Sequence, residues 1–140
     1  MFFKRKKQMA QPTLVKPLTP ANPLSFLDRI AQEEKRVAKL FCATVDSELS
    51  HLKTTHVTNG GVAAVIAWNP DGSKPHSTHP FEFMKYPELD LSERMCDQIL
   101  AEYKSRGFTK VTFTKLGYNS HPVGEYGYAK FIIYRVELFL

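Results

Sequence analysis

The C-terminal segment AKFIIYRVELFL (129–140) constrains the fold of this chain most strongly, because it is apolar on both faces. Side chains of a β-strand point alternately to the two faces of a sheet. One alternating set consists of Ile132, Tyr134, Val136, Leu138 and Leu140, and the opposite set includes Phe131, Ile133 and Phe139. An edge strand of this composition would promote aggregation. The pattern therefore favours a central strand, with pairing to another chain as the alternative.

Two segments have the apolar periodicity of amphipathic helices. The first begins near Ser25, where SFLD is a variant of the capping box, and its apolar stripe continues to Leu52. Glu34 falls within that stripe, which indicates a short break or exposed stretch, a buried carboxylate, or two separate helices. The second helix follows Asp90, the first residue of a D-x-x-E pattern, and ends at Gly107, which suits the left-handed end of a helix.

Apolar runs predict three further strands, at 62–68, 81–86 and 110–116. The stretches THVTNGG (55–61) and GYNSHPVGEYG (117–127) are rich in turn-forming residues and indicate a turn and a long loop. The resulting element order is α-β-β-α-β-β. Strands in consecutive pairs favour an α+β fold, with a mostly antiparallel four-stranded sheet and two helices on one face.

Residues 1–24 differ in composition from the predicted domain at 25–140. They contain four prolines, which remove backbone donors and disfavour helix at the residues before them. Five of the 19 Lys and Arg residues lie in this stretch and no Asp or Glu does, so the domain carries 14 basic residues against 14 acidic ones. The sequence therefore predicts an extended basic arm in front of a domain without net charge.

Four roles are open for this N-terminal arm: a solvated tail, a contact with nucleic-acid phosphates, a contact with an anionic membrane surface, and a contact with a neighbouring protein. The residues that would make these contacts are Phe2, Phe3, Lys4, Arg5, Lys6 and Lys7. Membrane binding by so short a stretch is marginal, so a membrane is the least favoured partner. A protein partner or a second copy of the chain is favoured, with nucleic acid second.

The segment 116–128 is the candidate contact loop of the domain. It contains Tyr118, His121, Tyr126 and Tyr128 between two predicted strands. Tyrosine provides a large contact area with little side-chain entropy to lose, which suits an interface. The alternative is a solvated hairpin tip whose tyrosines cover the edge of the sheet.

The histidines His76, His79 and His121 are weak candidates for a metal site. Neutral imidazoles are good zinc ligands, but an H-x-x-H pair in a proline-bounded loop lacks the spacing of a structural zinc motif. Cys42 and Cys96 fall within the predicted helices, where a thiol is usually buried and inert. The sequence has no nucleophile elbow and no glycine loop ahead of a helix. We therefore predict no catalytic residue, no cofactor and no small-molecule substrate.

In its size, basic arm, two helices and terminal strand pair, the chain is similar in general style to small α+β structural and accessory proteins encoded by bacteriophages. This likeness rests on no diagnostic motif. The leading hypothesis is a non-enzymatic structural protein that docks in a larger assembly, such as a phage particle, through its arm. A nucleic-acid-binding accessory protein that uses Lys4, Arg5, Lys6 and Lys7 is the alternative, and a metal-dependent enzyme that uses the three histidines is a distant third.

The sequence also restricts the expected location of the protein. No apolar run approaches the roughly 20 residues that span a bilayer. The basic cluster near the start is followed by Gln8 and prolines rather than by the apolar region of a signal peptide. We therefore expect a protein of the cytoplasm or of a virion.

Overall fold

The computed structural model describes residues 23–140, so the predicted arm lies almost entirely outside the described residues. Helix α1 spans Pro23–Leu49 and helix α2 spans Glu93–Ser105. Contacts divide the chain between Gln32 and Glu33 into two units, and the sheet and α2 belong to the second unit. The strands are β1 (Val57–Thr58), β2 (Gly61–Trp68), β3 (Lys110–Val123) and β4 (Gly127–Phe139).

The four strands form one antiparallel sheet in the order β1-β2-β4-β3. Strand β4 has a neighbour along both edges, because Ile132 lies opposite Trp68 of β2 and also opposite Tyr118 of β3. This arrangement confirms that the C-terminal segment is a central strand. A four-stranded antiparallel sheet with two helices is the α+β fold that the element order predicts.

Both helices contribute to one core cluster on the same face of the sheet. The residues that they bury most deeply are Phe41 and Val45 of α1 and Ile99 and Tyr103 of α2, each at most 1% exposed. The ring of Phe41 makes edge-to-face contacts with three other rings at centroid distances of 5.6–5.8 Å. Such contacts add about 0.5–1.5 kcal/mol each to the burial of apolar area. The sheet side of the cluster consists of Ala64, Ile66, Trp68, Tyr118, Ile132, Tyr134, Val136 and Leu138.

The opposite face of the sheet has a smaller apolar cluster, and the segment 73–81, here called the crossing segment, lies over one end of it. The side-chain amide of Asn119 donates hydrogen bonds to two carbonyls of this segment, at 2.9 and 3.1 Å. The imidazole of His121 stacks on the fully buried ring of Phe131 at 5.4 Å. These contacts hold the crossing segment over one end of the face. The cluster beneath consists of Ala67, Ala129, Phe131 and Ile133.

The helix boundaries differ from the predicted ones at two N-termini. Helix α1 begins at Pro23, two residues before the predicted start, because proline lacks the N–H that a first turn leaves unpaired. Helix α2 is capped by Ser92 rather than Asp90: the Ser92 hydroxyl accepts a hydrogen bond from the backbone N–H of Met95 at 3.2 Å. The predicted end of α2 at Gly107 is confirmed by its φ of 104°.

Helix α1 is continuous through Glu34, so the predicted break is absent. The stripe does have an exposed stretch, but that stretch lies before Glu34, at Leu27 and Ile30. Glu34 is buried, at 8% exposure, and its Oε1 lies 3.1 Å from the guanidinium of Arg94 in α2, an ion pair without the geometry of a hydrogen bond. A buried carboxylate requires such a partner because desolvation of an unpaired charge is costly.

Three predictions about strands and loops are wrong. The segment 81–86 is not a strand: only Phe81 forms an isolated bridge, to Tyr118. The predicted turn at 55–61 instead contains β1, which forms a short hairpin with β2. The predicted loop at 116–128 is largely strand, because β3 continues to Val123 and pairs with β4 throughout, apart from a bulge between Lys115 and Gly117.

Candidate functional site: exposed apolar surfaces and an open sheet edge

The predicted contact residues of the arm lie outside the described part of the chain. They are Phe2, Phe3, Lys4, Arg5, Lys6 and Lys7. The first described turns of the chain follow directly after the arm, and they belong to α1.

These first turns carry an exposed apolar stripe, formed by Phe26, Leu27 and Ile30. The three side chains are 50%, 52% and 47% exposed. At the helical spacing of about 100° per residue, the three side chains share one face of their turns. Helix α1 therefore presents an apolar stripe to solvent before its buried part begins.

The contact residues predicted in the domain do not share one environment. Tyr118 lies in the core at 4% exposure, because β3 extends through its position. Tyr126 and Tyr128 are 93% and 66% exposed in and beside the turn between β3 and β4, and Val123 on the same hairpin is 47% exposed. We call Val123, Tyr126 and Tyr128 the hairpin tip. Tyr118 does not belong to any contact surface of this hairpin.

Tyr118 instead forms a polar network with Asp90 and Lys115. Its hydroxyl donates to one carboxylate oxygen of Asp90 at 2.6 Å, and the Lys115 ammonium donates to the other at 3.0 Å. Burial raises the pKa of Asp90, but the hydrogen bonds from Tyr118 and Lys115 outweigh it, so the pKa is lowered overall. Burial and the bond to Asp90 raise the pKa of Tyr118. The network fixes the bulged part of β3 to the segment before α2.

The structure brings two of the three candidate metal ligands together. The rings of His76 and His121 are stacked in parallel, with centroids 3.6 Å apart, while His79 lies against the ring of Phe81. Both ring nitrogens of His121 face backbone carbonyls, those of Lys74 and Pro122 at 3.2 and 3.3 Å. Within residues 23–140, no three His, Cys, Asp or Glu side chains are grouped as metal ligands. The histidines help to hold the crossing segment on the sheet.

A groove of about 560 Å³ lies between α1 and α2, with small apolar residues in its floor. One of these, Cys42, is buried, and burial raises the pKa of its thiol to about 11. The thiol is therefore protonated at neutral pH. Beside it, Arg106 donates to both carboxylate oxygens of Asp46 at 2.9 Å, and Tyr103 donates to the same carboxylate at 3.0 Å. These bonds link the two helices.

The outer edge of β2 is mostly unpaired. Strand β1 pairs only with Gly61 and Val62, and no other strand of the described chain pairs with this edge. Residues 63–68, with the uncharged sequence AAVIAW, therefore form an edge without a strand partner in the described chain, here called the open edge. Five of these six residues are nevertheless at most 3% exposed, so other parts of the chain cover most of this edge. Alternate residues of an edge strand direct their backbone N–H and C=O groups away from the sheet.

A second groove, of about 450 Å³, lies beside residues 66–68 at one end of this edge. Its walls come from the outer side of α1, from the end of β2 and from the loop that follows, and include Leu40, Thr44, Ser47, Ile66, Trp68 and Ser73. Trp68 is 3% exposed, and its indole Nε1 has no hydrogen-bond acceptor among the described residues. A buried donor without an acceptor is unusual and costs about 1–3 kcal/mol. The groove thus combines an open backbone edge with an unsatisfied indole.

Sequence reasoning did not identify the open edge. The apolar run of β2 was recognised as a strand, but its pairing depends on how far β1 extends. The sequence carries no signal for this, because the helical turn Thr54–His56, which leaves only two residues for β1 before the Asn59-Gly60 turn, is seen only in the structure.

No protein-family model, curated protein or solved structure matches this chain. The described helices include none that is long and apolar enough to cross a bilayer.

Proposed function

We propose that this chain is a non-enzymatic structural protein that docks in a larger assembly, using its N-terminal arm and the adjacent exposed stripe. The observation that carries the proposal is the stripe of Phe26, Leu27 and Ile30, whose side chains are about half exposed in the chain alone. Removing apolar surface from water is favourable by about 25 cal/mol per Å². Exposed apolar patches of this kind mark protein interaction sites.

The hairpin tip supports the same function from another part of the molecule. Tyr126 and Tyr128 expose most of their surface and do not contribute to the core clusters. Tyrosines are enriched at interfaces because each supplies a rigid apolar ring with one polar end. The hairpin tip is thus a second contact surface of the proposed assembly. A phage particle is one such assembly, in keeping with the general style of the sequence.

The charge distribution favours nucleic-acid binding as the second candidate function. The basic excess lies in residues 1–24, and the remaining 14 basic and 14 acidic residues balance each other. Lys4, Arg5, Lys6 and Lys7 would then neutralise phosphates, and the affinity would fall steeply with salt. The parallel stacking of the His76 and His121 rings does not favour the third hypothesis, a metal-dependent enzyme.

The solution mass of the full chain tests these functions. Assembly through apolar contacts predicts a mass above the chain mass of 16.0 kDa at both low and high salt, measured by light scattering after size exclusion. We expect Leu27→Ser with Ile30→Ser to reduce the assembled fraction. The control is Val57→Ser, which changes an exposed apolar residue of β1, outside the stripe, and should leave the assembly intact.

The same experiment separates the two candidate functions. Absorbance at two wavelengths detects nucleic acid that purifies with the protein. Nucleic acid that is released at high salt, and is absent when the four basic residues are changed to glutamine, would establish the second function. A wild-type chain of 16.0 kDa under every condition contradicts assembly by this chain alone.

A further inference from the structure

We propose that the hairpin tip of one copy of this chain docks in the groove between α1 and α2 of a second copy, with Tyr126 as the anchoring side chain. This groove, of about 560 Å³, is here called the helix groove. The inference rests on the proposed function, in which the hairpin tip contacts a partner in an assembly. It specifies that partner as the same chain and assigns the tip a binding site.

The hairpin tip projects beyond the rest of the sheet. The pairing of β2 with β4 ends where Trp68 lies opposite Ile132, whereas β3 stays paired with β4 as far as Gly127. Residues 127–131 of β4 therefore extend about 16 Å past the last pair with β2, at about 3.3 Å per residue. Tyr126 lies in the turn at the end of this projection and is 93% exposed. Its ring is thus free to enter a concave surface on another molecule.

The helix groove has the chemistry that suits a tyrosine side chain. Ala38 and Cys42 of α1 and Ala101 of α2 give it a lining of small apolar side chains. Gln98 belongs to the same lining, and its amide makes no hydrogen bond with another described residue. A docked tyrosine requires apolar surroundings for its ring and a hydrogen-bond partner for its hydroxyl. The groove provides both, and its volume is within the usual range of about 300–1,000 Å³ for binding pockets.

The helix groove also has an excess of positive charge. Arg106 pairs with the carboxylates of Asp46 and Glu102 at 2.9 and 2.8 Å, so these groups already have partners. Lys35 and Lys39 complete the charged lining, and neither forms an ion pair with a described residue. They are four residues apart on α1, so both lie on one side of the helix. The lining therefore offers two unpaired ammonium groups to an acidic partner.

The hairpin tip carries the complementary charge. Glu125 is exposed directly beside Tyr126 in the turn, and its carboxylate forms no ion pair with a described residue. An anchoring ring next to a carboxylate matches an apolar lining next to ammonium groups. The exposed stripe of α1 lacks this match, because Asp28 and Arg29 in the same turns offset each other. Charge complementarity therefore selects the hairpin tip as the occupant.

A second copy is the partner because both halves of the contact belong to this chain. Each copy presents one hairpin tip and one helix groove, and the exposure of Tyr126 shows that neither half is used within a single chain. Two different surfaces that dock in this way form a head-to-tail contact. Such a contact repeats from copy to copy and produces a closed ring or an open filament. Either product is an assembly of the kind that the proposed function requires.

The test uses charge reversal in the full-length chain. Glu125→Lys changes the tip, and Lys35→Glu with Lys39→Glu changes the groove. The matched control, Lys85→Glu with Lys104→Glu, reverses two lysines outside the helix groove. All five side chains are exposed, so the core is not altered. The measurement is the mass by light scattering over a series of protein concentrations.

We expect the wild type and the control to have masses above that of one chain, 16.0 kDa. The tip variant and the groove variant should each need at least about a tenfold higher concentration to assemble, because like charges across an interface are costly. An equimolar mixture of these two variants should assemble again. In the mixture the unchanged tip meets the unchanged groove, and the two reversed surfaces attract each other. A misfolded variant could not produce this rescue.

The other outcomes separate this inference from the proposed function. Assembly that survives both reversals but is lost with Leu27→Ser and Ile30→Ser overturns the inference and leaves the proposed function intact. Assembly that is lost, rescued in the mixture and insensitive to the Leu27/Ile30 change supports the inference and contradicts the role of the stripe.

Three further results would each overturn the inference. Loss of assembly in both variants without rescue in the mixture contradicts the pairing of tip and groove. Loss in the Lys35/Lys39 variant alone means that another segment fills the helix groove. A wild type with the mass of one chain at every concentration contradicts a second copy as the partner.

Discussion

At the scale of single residues, Gly61 lies where β2 pairs with the end of β4, opposite Phe139. A Cβ built on Gly61 would lie 1.9 Å from the carbonyl oxygen of Leu138, which is backbone and has little freedom to move. We expect Gly61→Ala to lower the free energy of unfolding by about 1–3 kcal/mol, the usual cost of overpacking. Urea denaturation measures this change.

The neighbouring glycine provides the control for this substitution. A Cβ on Gly60 would lie 3.4 Å from the ring of Phe139, an ordinary contact with a side chain. Gly60→Ala should therefore change the stability little. If both variants lost the same free energy of unfolding, the close approach of the Leu138 carbonyl to Gly61 would not explain the effect of Gly61→Ala.

The network of Asp90, Tyr118 and Lys115 makes stability depend on acid pH. The folded-state pKa of Asp90 is lowered, so this carboxylate stabilises the fold above its unfolded pKa of about 3.9. That stability is lost as the pH falls through the folded-state value. We expect Asp90→Asn to be less stable than the wild type at neutral pH, with a difference that shrinks at strongly acid pH. Urea denaturation over a series of pH values measures it, and a difference independent of pH would exclude the linkage.

The surroundings of individual side chains were the feature of this structure that was hardest to predict from the sequence. Tyr118 was expected in a loop because glycine and proline are frequent in residues 116–128. Pairing with the apolar strand β4 overrides this local preference. Gly117 lies directly after the bulge, where a Cβ would meet the side chain of Pro80. Tyr126 is exposed because it lies in the turn where the pairing of β3 with β4 ends.

At the scale of elements, the start of α2 depends on one hydroxyl. Ser92 is the N-cap, and its Oγ accepts from the backbone N–H of Met95. We expect Ser92→Ala to lower the free energy of unfolding by about 1 kcal/mol, the usual cost of losing an N-cap. Ser92→Asp should retain most of the stability because aspartate is also a good cap. If Ser92→Ala and Ser92→Asp have equal stability, the hydroxyl does not cap α2.

Elements with strong periodicity were predicted well, and elements that depend on distant partners were not. Helices α1 and α2, the strand at 62–68 and the central strand follow from apolar spacing along the chain. The predicted strand at 81–86 also has a suitable composition, yet only Phe81 finds a backbone partner. Its neighbours Met84 and Tyr86 pack against the core cluster as side chains instead. Local composition does not determine which of these outcomes occurs.

At the scale of the whole molecule, the fold class could be predicted because the order of elements allows few compact arrangements. The candidate surfaces could not. The open edge of β2 results from the short β1, and the exposed stripe results from an α1 that starts before its buried part. Both depend on where pairing and packing stop, which is a property of the tertiary structure. Net charge was informative only about residues 1–24, because the charges in the remainder balance.

The hairpin tip provides a prediction that separates stability from assembly. Tyr126 and Tyr128 are 93% and 66% exposed, so Tyr126→Ser with Tyr128→Ser should change the free energy of unfolding by no more than about 0.5 kcal/mol. If these rings contact a partner, the same change should reduce the assembled fraction seen by light scattering. Leu52→Ser is the control, because Leu52 is 58% exposed but lies outside the proposed contact surfaces. An equal effect of both variants on assembly would indicate a general loss of apolar surface rather than a contact at the hairpin tip.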